Sequence, residues 1–156
     1  MNAIEYSEIT EPQQRSSVCD GILRALPEWF GREQAIVGYV DEVKDEYTLA
    51  ALENGTAVGF VSLRRHNDFT DEVHVMGVRK EYHRRGIGRK LIELVCRKSK
   101  GDGKIFLSVK TLSDSDPYPF YALTRKFYRS QGFYPLEEIT EIWGEDNPCL
   151  IMVKVL

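Results

Sequence analysis

The chain predicts a mixed α/β fold in which helices cover the faces of a central β-sheet. Three observations carry that expectation. Runs with strand patterning alternate with stretches of helical apolar spacing from one end to the other. Asn54-Gly55 separates two β-prone runs. An apolar-rich run, Glu72 to Val78, passes through a basic turn into a helix that opens on Gly86-Ile87-Gly88.

Taken in chain order, Ile4 to Ile9 alternates apolar and polar residues as a short strand does. Thr10-Glu11-Pro12-Gln13 has the form of a capping box with proline in the first turn. Val18, Ile22, Leu23 and Leu26 form the apolar stripe of the helix that follows, and Pro27 ends it. Trp29-Phe30-Gly31 is an apolar connector. Ile36, Val40 and Val43 predict a second helix that runs to Asp45. Tyr47 to Glu53 and Thr56 to Leu63 predict an antiparallel pair, because a type I′ turn needs two positive φ angles and Asn-Gly tolerates both.

His66 to Asp71 reads as a polar loop and Glu72 to Val78 as the next strand. Ile87, Leu91, Leu94 and Val95 then fall on one side of a helix that Gly101-Asp-Gly103 stops. Ile105 to Val109 is a nearly continuous apolar run, the pattern of a central strand covered on both faces. Thr111 to Pro119 is a loop by its Ser, Asp and Pro content. Phe120, Leu123 and Phe127, followed by Gln131-Gly132, predict a helix with a glycine stop. Ile139 to Trp143 and Leu150 to Val155 read as final strands joined by Gly144 to Pro148. The resulting order is β-α-α-β-β-β-α-β-α-β-β.

A length of 156 residues suits one domain, 1–156, with a single core. Hydrophobic residues make up 42% and charged ones 29%, the balance of an ordinary water-soluble protein. No stretch is apolar enough to span a membrane, and Met1-Asn-Ala-Ile-Glu-Tyr lacks a secretory pattern, so a cytoplasmic location is expected. Cys19, Cys96 and Cys149 are scattered and odd in number, which predicts three buried reduced thiols and neither a disulfide framework nor a metal site.

The net charge of -3 argues against general nucleic-acid binding, but the charges are polarised. Residues 79 to 100 hold nine of the 21 Lys and Arg against two acids, whereas residues 1 to 60 hold eleven acids and four bases. One face is therefore suited to an anion and others to a cation.

The anion face centres on the basic turn. The first N–H groups of a helix lack intrahelical partners and carry the positive end of its dipole, so they favour a phosphate or pyrophosphate. Arg84, Arg85 and Arg89 add full charges there. A dinucleotide fingerprint would need glycine where Leu91 stands, and a P-loop would need Gly-Lys-Ser/Thr; both are absent. His83-Arg84-Arg85-Gly86-Ile87-Gly88 instead resembles the acetyl-CoA signature of the GNAT family of N-acetyltransferases, Gln/Arg-x-x-Gly-x-Gly/Ala, with His83 departing at the first position. The element order matches that family, and Thr124 to Phe133 is similar to its late Phe/Leu-Tyr-x-x-x-Gly-Phe segment.

The resemblance implies a GNAT fold, acetyl-CoA as the cofactor, and acetyl transfer to a primary amine. It places the pyrophosphate on the backbone of Arg84 to Arg89, with His83 flanking that cradle. It also implies a bulge that frees backbone groups of Met76, Gly77 and Val78 for the pantetheine arm. Tyr128 falls where the family often has the tyrosine that serves the coenzyme sulfur, and Tyr121 where many members use asparagine to touch the coenzyme. Glu72 stands where one branch of the family carries its general base. A regular strand would set Glu72, His74, Met76 and Val78 on one face, so either Glu72 or His74 could take the amine proton. No His, Asn or Asp pattern activates a cysteine, which points to direct transfer in a ternary complex.

In that fold the acceptor enters between two loops, here Pro27 to Arg32 and Trp143 to Pro148. Each combines an indole with acids, so Glu28, Trp29, Trp143 and Glu145 are candidates to hold a cationic small-molecule amine. A protein lysine or N-terminus is the alternative acceptor, and a non-catalytic acyl-CoA sensor the alternative class. Neither a nucleic-acid nor a membrane partner is expected, and the chain is expected to act as a monomer or homodimer.

Overall fold

A computed structural model describes residues 2–156. The strands are β1 (Ile4–Ile9), β2 (Tyr47–Glu53), β3 (Thr56–Arg65), β4 (Thr70–Val78), β5 (Phe106–Leu112), β6 (Tyr134–Ile139) and β7 (Cys149–Val155). The helices are α1 (Pro12–Arg24), α2 (Glu33–Glu42), α3 (Ile87–Gly101) and α4 (Pro119–Ser130). The strands form one mixed sheet in the order β1-β2-β3-β4-β5-β7-β6. Contacts divide the chain into two compact units: residues up to Arg64 with His74–Arg97, and Arg65–Val73 with Lys98–Leu156.

In the first unit, Asn54 (φ 50°) and Gly55 (φ 78°) make the expected positive-φ turn, and β2 and β3 pair antiparallel across it from Tyr47↔Leu63 to Glu53↔Thr56. Helix α1 starts at Pro12, whose missing N–H costs nothing there, but no side chain caps it, so the expected capping box is not formed. Its stripe is as read: Cys19, Ile22, Leu23 and Leu26 are buried with Ile36, Val43, Phe60 and Val75 in one core. Arg15 ties α1 to β1 and to the 3-10 turn after α2 by bonds to Ile9 O (2.7 Å) and Lys44 O (2.8 Å). The Ser16 hydroxyl donates to Val40 O at 2.6 Å. Ile87, Leu91, Ile92 and Val95 are the buried side of α3.

From Val73 to Val78, β4 alternates buried and half-buried residues. Val75 belongs to the α1 core, and a Cβ on Gly77 would meet Leu26 Cδ1 at 2.9 Å and Ile22 Cγ2 at 3.0 Å. His74 meets Tyr39 and Glu42 of α2. Gly77 is therefore glycine because α1 presses on it.

In the second unit, β5 runs parallel to the start of β4 (Thr70↔Phe106 to Val73↔Val109) and antiparallel to β7, which in turn pairs antiparallel with β6. Leu107, Val109, Leu112, Tyr128, Phe133, Cys149 and Met152 are buried. Three expectations are corrected here. Strand β5 is not covered on both faces, since Phe106 is exposed and Ser108 and Lys110 only half-buried. The penultimate strand is Tyr134–Ile139 rather than 139 to 143. It is an exposed edge, where a proline and two glutamates are tolerated because one row of backbone groups has no ladder to join. Leu123 is exposed, and Tyr128 is buried on α4 instead.

Candidate active site

In the first unit, the turn between β4 and α3 is held in an uncommon conformation. Arg84 has φ 63° and Gly86 φ 78°, and a Cβ on Gly86 would touch nothing within 4 Å. Gly86 is thus required by its backbone angle and opens onto space. A non-glycine residue in the left-handed region is a local cost of the kind that persists where backbone N–H groups must converge. The first intrahelical bond after the turn is Lys90 N to Gly86 O (3.0 Å), so the amides just before Lys90 precede the helical ladder. Arg84, Arg85 and Arg89 are exposed around them. An anion with several oxygens fits this donor set.

The turn is braced on both sides. The Tyr82 hydroxyl donates to Glu53 Oε1 at 2.7 Å, and that carboxylate pushes the phenol above its usual range. The Arg85 guanidinium lies 4.9 Å from the centre of the Tyr82 ring and 3.9 Å from Glu53 Oε2. On the other side, His83 Nε2 lies 2.6 Å from Val78 O; a carbonyl only accepts, so His83 carries its proton on Nε2. The Val78 carbonyl expected to serve a ligand is in this way engaged by the protein itself. The connector 25–32 reaches the same turn: Trp29 meets the His83 ring edge-on at 5.9 Å, and Glu28 Oε2 accepts from Lys80 Nζ at 3.0 Å. The Lys80 ammonium holds the Glu28 carboxyl below its ordinary range.

Also in this unit, His74 sits among charged groups from three segments. Its Nδ1 lies 2.8 Å from the buried Glu46 carboxylate. Glu46 further accepts from the Ser62 hydroxyl (2.9 Å) and Arg64 Nε (3.3 Å). Arg64 also bonds Glu42, whose Oε2 is 3.5 Å from His74 Nε2. Glu42, Glu46 and His74 have the ligand types and closeness of a cation site, but the guanidinium already supplies that positive charge.

In the second unit, Glu72 is 2% exposed and fully engaged: Lys110 Nζ bonds both its oxygens (2.9 and 3.0 Å) and His66 Nε2 lies 2.6 Å from Oε1. Tyr128 is buried, its ring packed on Phe127 and Phe133 at 5.4 and 5.6 Å. Tyr121 is half-buried, 6.0 Å from Tyr118. Trp143 is half-buried and Glu145 exposed in the loop before β7.

Sequence reading missed Glu46, Arg64, Tyr82, Glu53 and Lys110. Their partners lie 18 to 38 residues away in the chain, and no local pattern marks such pairs. Of the three thiols, Cys19 and Cys149 are buried as expected, but Cys96 is only partly so. Burial pushes Cys19 up to about 12 and Cys149 to about 11, which leaves neither a ready nucleophile.

The acetyltransferase (GNAT) family model matches residues 10–133. N-alpha-acetyltransferase RimI of Mycobacterium tuberculosis (strain ATCC 25618 / H37Rv) is 33% identical over 94 residues, which are 54% of this chain and 59% of that protein. The match thus spans about six-tenths of the length of that curated relative. A putative GNAT-family acetyltransferase from Desulfovibrio desulfuricans superposes with a TM-score of 0.83 at 18% identity, covering 98% of this chain and 99% of the other. An aminoglycoside 6'-N-acetyltransferase crystallised with coenzyme A gives 0.74 at 20%, over 97% and 96% of the two chains. At those identities the two structures bear on the fold alone.

Proposed function

Because the chain belongs to the acetyltransferase (GNAT) family, we propose that it is a single-domain, acetyl-CoA-dependent N-acetyltransferase acting in the cytoplasm, whose acceptor is a cationic small-molecule amine. The observation that carries the cofactor assignment is the pair of positive φ angles at Arg84 and Gly86 directly before α3. That turn gathers backbone donors and three arginines at a helix start, as a diphosphate requires.

When bound, acetyl-CoA supplies the thioester and its leaving sulfur. The backbone of 84 to 89 would hold its diphosphate, with Tyr82 and Glu53 keeping Arg85 in place. His74 would accept the proton that the acceptor amine nitrogen gives up when it takes the acetyl group. Glu72 shares its position in the family with a general base, but Lys110 and His66 engage its carboxylate, which favours His74 for that step. Tyr128 is assigned the proton delivered to the departing sulfur, on the strength of the family resemblance. Glu28 is assigned to the acceptor because it already binds an ammonium, that of Lys80.

A second reading, acetylation of a protein N-terminus, is favoured by the 33% identity to a protein named N-alpha-acetyltransferase. Thiol release from acetyl-CoA, followed across cationic amines, neutral amines and short peptides, separates the two. Preference for cationic amines supports the first reading, and turnover of peptides alone replaces it with the second. Coenzyme binding with no thiol release for any acceptor would identify a sensor and overturn both.

A further inference from the structure

We infer that Glu46 is a positioning residue that fixes the tautomer of His74, leaving Nε2 as the nitrogen that accepts the proton from the amine. The inference rests on the proposed acetyl transfer, but its geometry is independent of it. Glu46 is buried, and its carboxylate can only accept, so the ring nitrogen 2.8 Å away, Nδ1, carries hydrogen. In the neutral ring the remaining lone pair is then on Nε2. Glu42 Oε2, at 3.5 Å, is too far for a good hydrogen bond and is itself held by Arg64, yet it faces the same nitrogen. Once Nε2 takes a proton, both N–H groups of the ring face carboxylates.

The groups around His74 are otherwise accounted for. Tyr39 packs against the ring at 5.3 Å and 62°, which limits its rotation. Ser62 and Arg64 from β3 bond Glu46, and the Thr48 hydroxyl lies 3.3 Å from Ser62 Oγ and donates to Glu46 O at 3.2 Å. Glu46 is thus anchored by donors that leave it one task, the His74 Nδ1–H. The other two histidines differ. His83 and His66 each engage an acceptor through Nε2, so both carry hydrogen there, and His74 stands apart as the Nδ1–H tautomer.

The imidazole nitrogen shifts of a histidine-labelled sample report this directly. One Nδ1–H ring and two Nε2–H rings are expected at a pH where all three are neutral. The odd ring is assigned by its loss in His74→Gln, and Glu46→Ala should abolish its preference. An Nε2–H tautomer at His74 in the wild-type protein overturns the inference without any mutant. With an acceptor in hand, Glu46→Ala should lower kcat at least about tenfold, and Glu46→Gln, which still accepts a hydrogen bond, less so. In the His74→Gln background Glu46→Ala should cost less than about twofold, since residues that act as a unit are not additive. An undiminished loss there would make Glu46 merely structural and sink the inference. Calorimetry with acetyl-CoA on the same samples keeps the two questions apart. Absence of heat in the wild type would end the acetyltransferase reading while the tautomer result stood.

Discussion

Lys110 places its ammonium 2.9 and 3.0 Å from the two carboxylate oxygens of Glu72, a residue whose side chain is almost wholly withdrawn from solvent. A buried carboxylate without its cation is far costlier than the pair is beneficial. Lys110→Met should therefore destabilise the protein by about 3 kcal/mol, the lower end of that range because His66 still meets Glu72. Replacing both, Glu72→Leu with Lys110→Met, should recover much of the loss. Urea unfolding of the two variants checks both statements.

Gly86 and Arg84 share a left-handed backbone but predict different effects on stability. Gly86→Ala meets no atoms, so its cost is the strain of a Cβ at φ 78°, about 1–2 kcal/mol, together with weaker binding of coenzyme A. Arg84→Gly relieves strain and should leave stability within about 1 kcal/mol of wild type while removing a charge from the proposed diphosphate site and weakening coenzyme A binding. Thermal unfolding distinguishes the two variants, and calorimetric affinity for coenzyme A tests the role they share. Equal affinities in the wild type and both variants would remove this turn from the binding site.

Lys80 holds the Glu28 carboxyl below its ordinary 4.5. A depressed carboxyl contributes stability that is complete above the unfolded value and is lost as pH falls through the folded one. Lys80→Met should return Glu28 to the ordinary carboxylate range and remove that contribution to acid-limb curvature. Carboxyl-carbon NMR titration of Glu28 in wild type and Lys80→Met reads this out. An unchanged midpoint would show that the ion pair is absent in solution.

Cys19 and Cys149, raised from 9.0 to about 12 and about 11 by burial, work in the other direction. Each is protonated in the folded state where the unfolded thiol already ionises, so stability is full below 9.0 and falls as pH climbs towards those values. Iodoacetamide on the native protein at pH 8 should modify Cys96 alone, with three adducts after denaturation. Native labelling of Cys19 would mean that the α1 core opens readily.

The signals that were legible were local ones. Asn54-Gly55 specified its hairpin because the angles a turn demands are a property of two residues. Helix α3 and the turn before it were readable because apolar spacing and a Gly-x-Gly are short-range patterns. Strand β6 was misplaced because its Pro and Glu residues are acceptable only at a sheet edge, and edge position is not written in a six-residue run. Leu123 is exposed and Tyr128 buried because α4 carries apolar residues on more than one side, and packing chooses among them.

By itself the sequence determined the order of elements, the basic glycine turn and the family to which both belong, since each depends on neighbours within a helical turn or a hairpin. The tertiary structure decided which charges meet. It gave Glu72 to Lys110, Glu28 to Lys80, and His74 to Glu46 across 28 residues of chain. Ionisable groups are sensitive to partners a few ångströms away, whatever their distance in sequence, so which charges pair is settled only once the chain has folded.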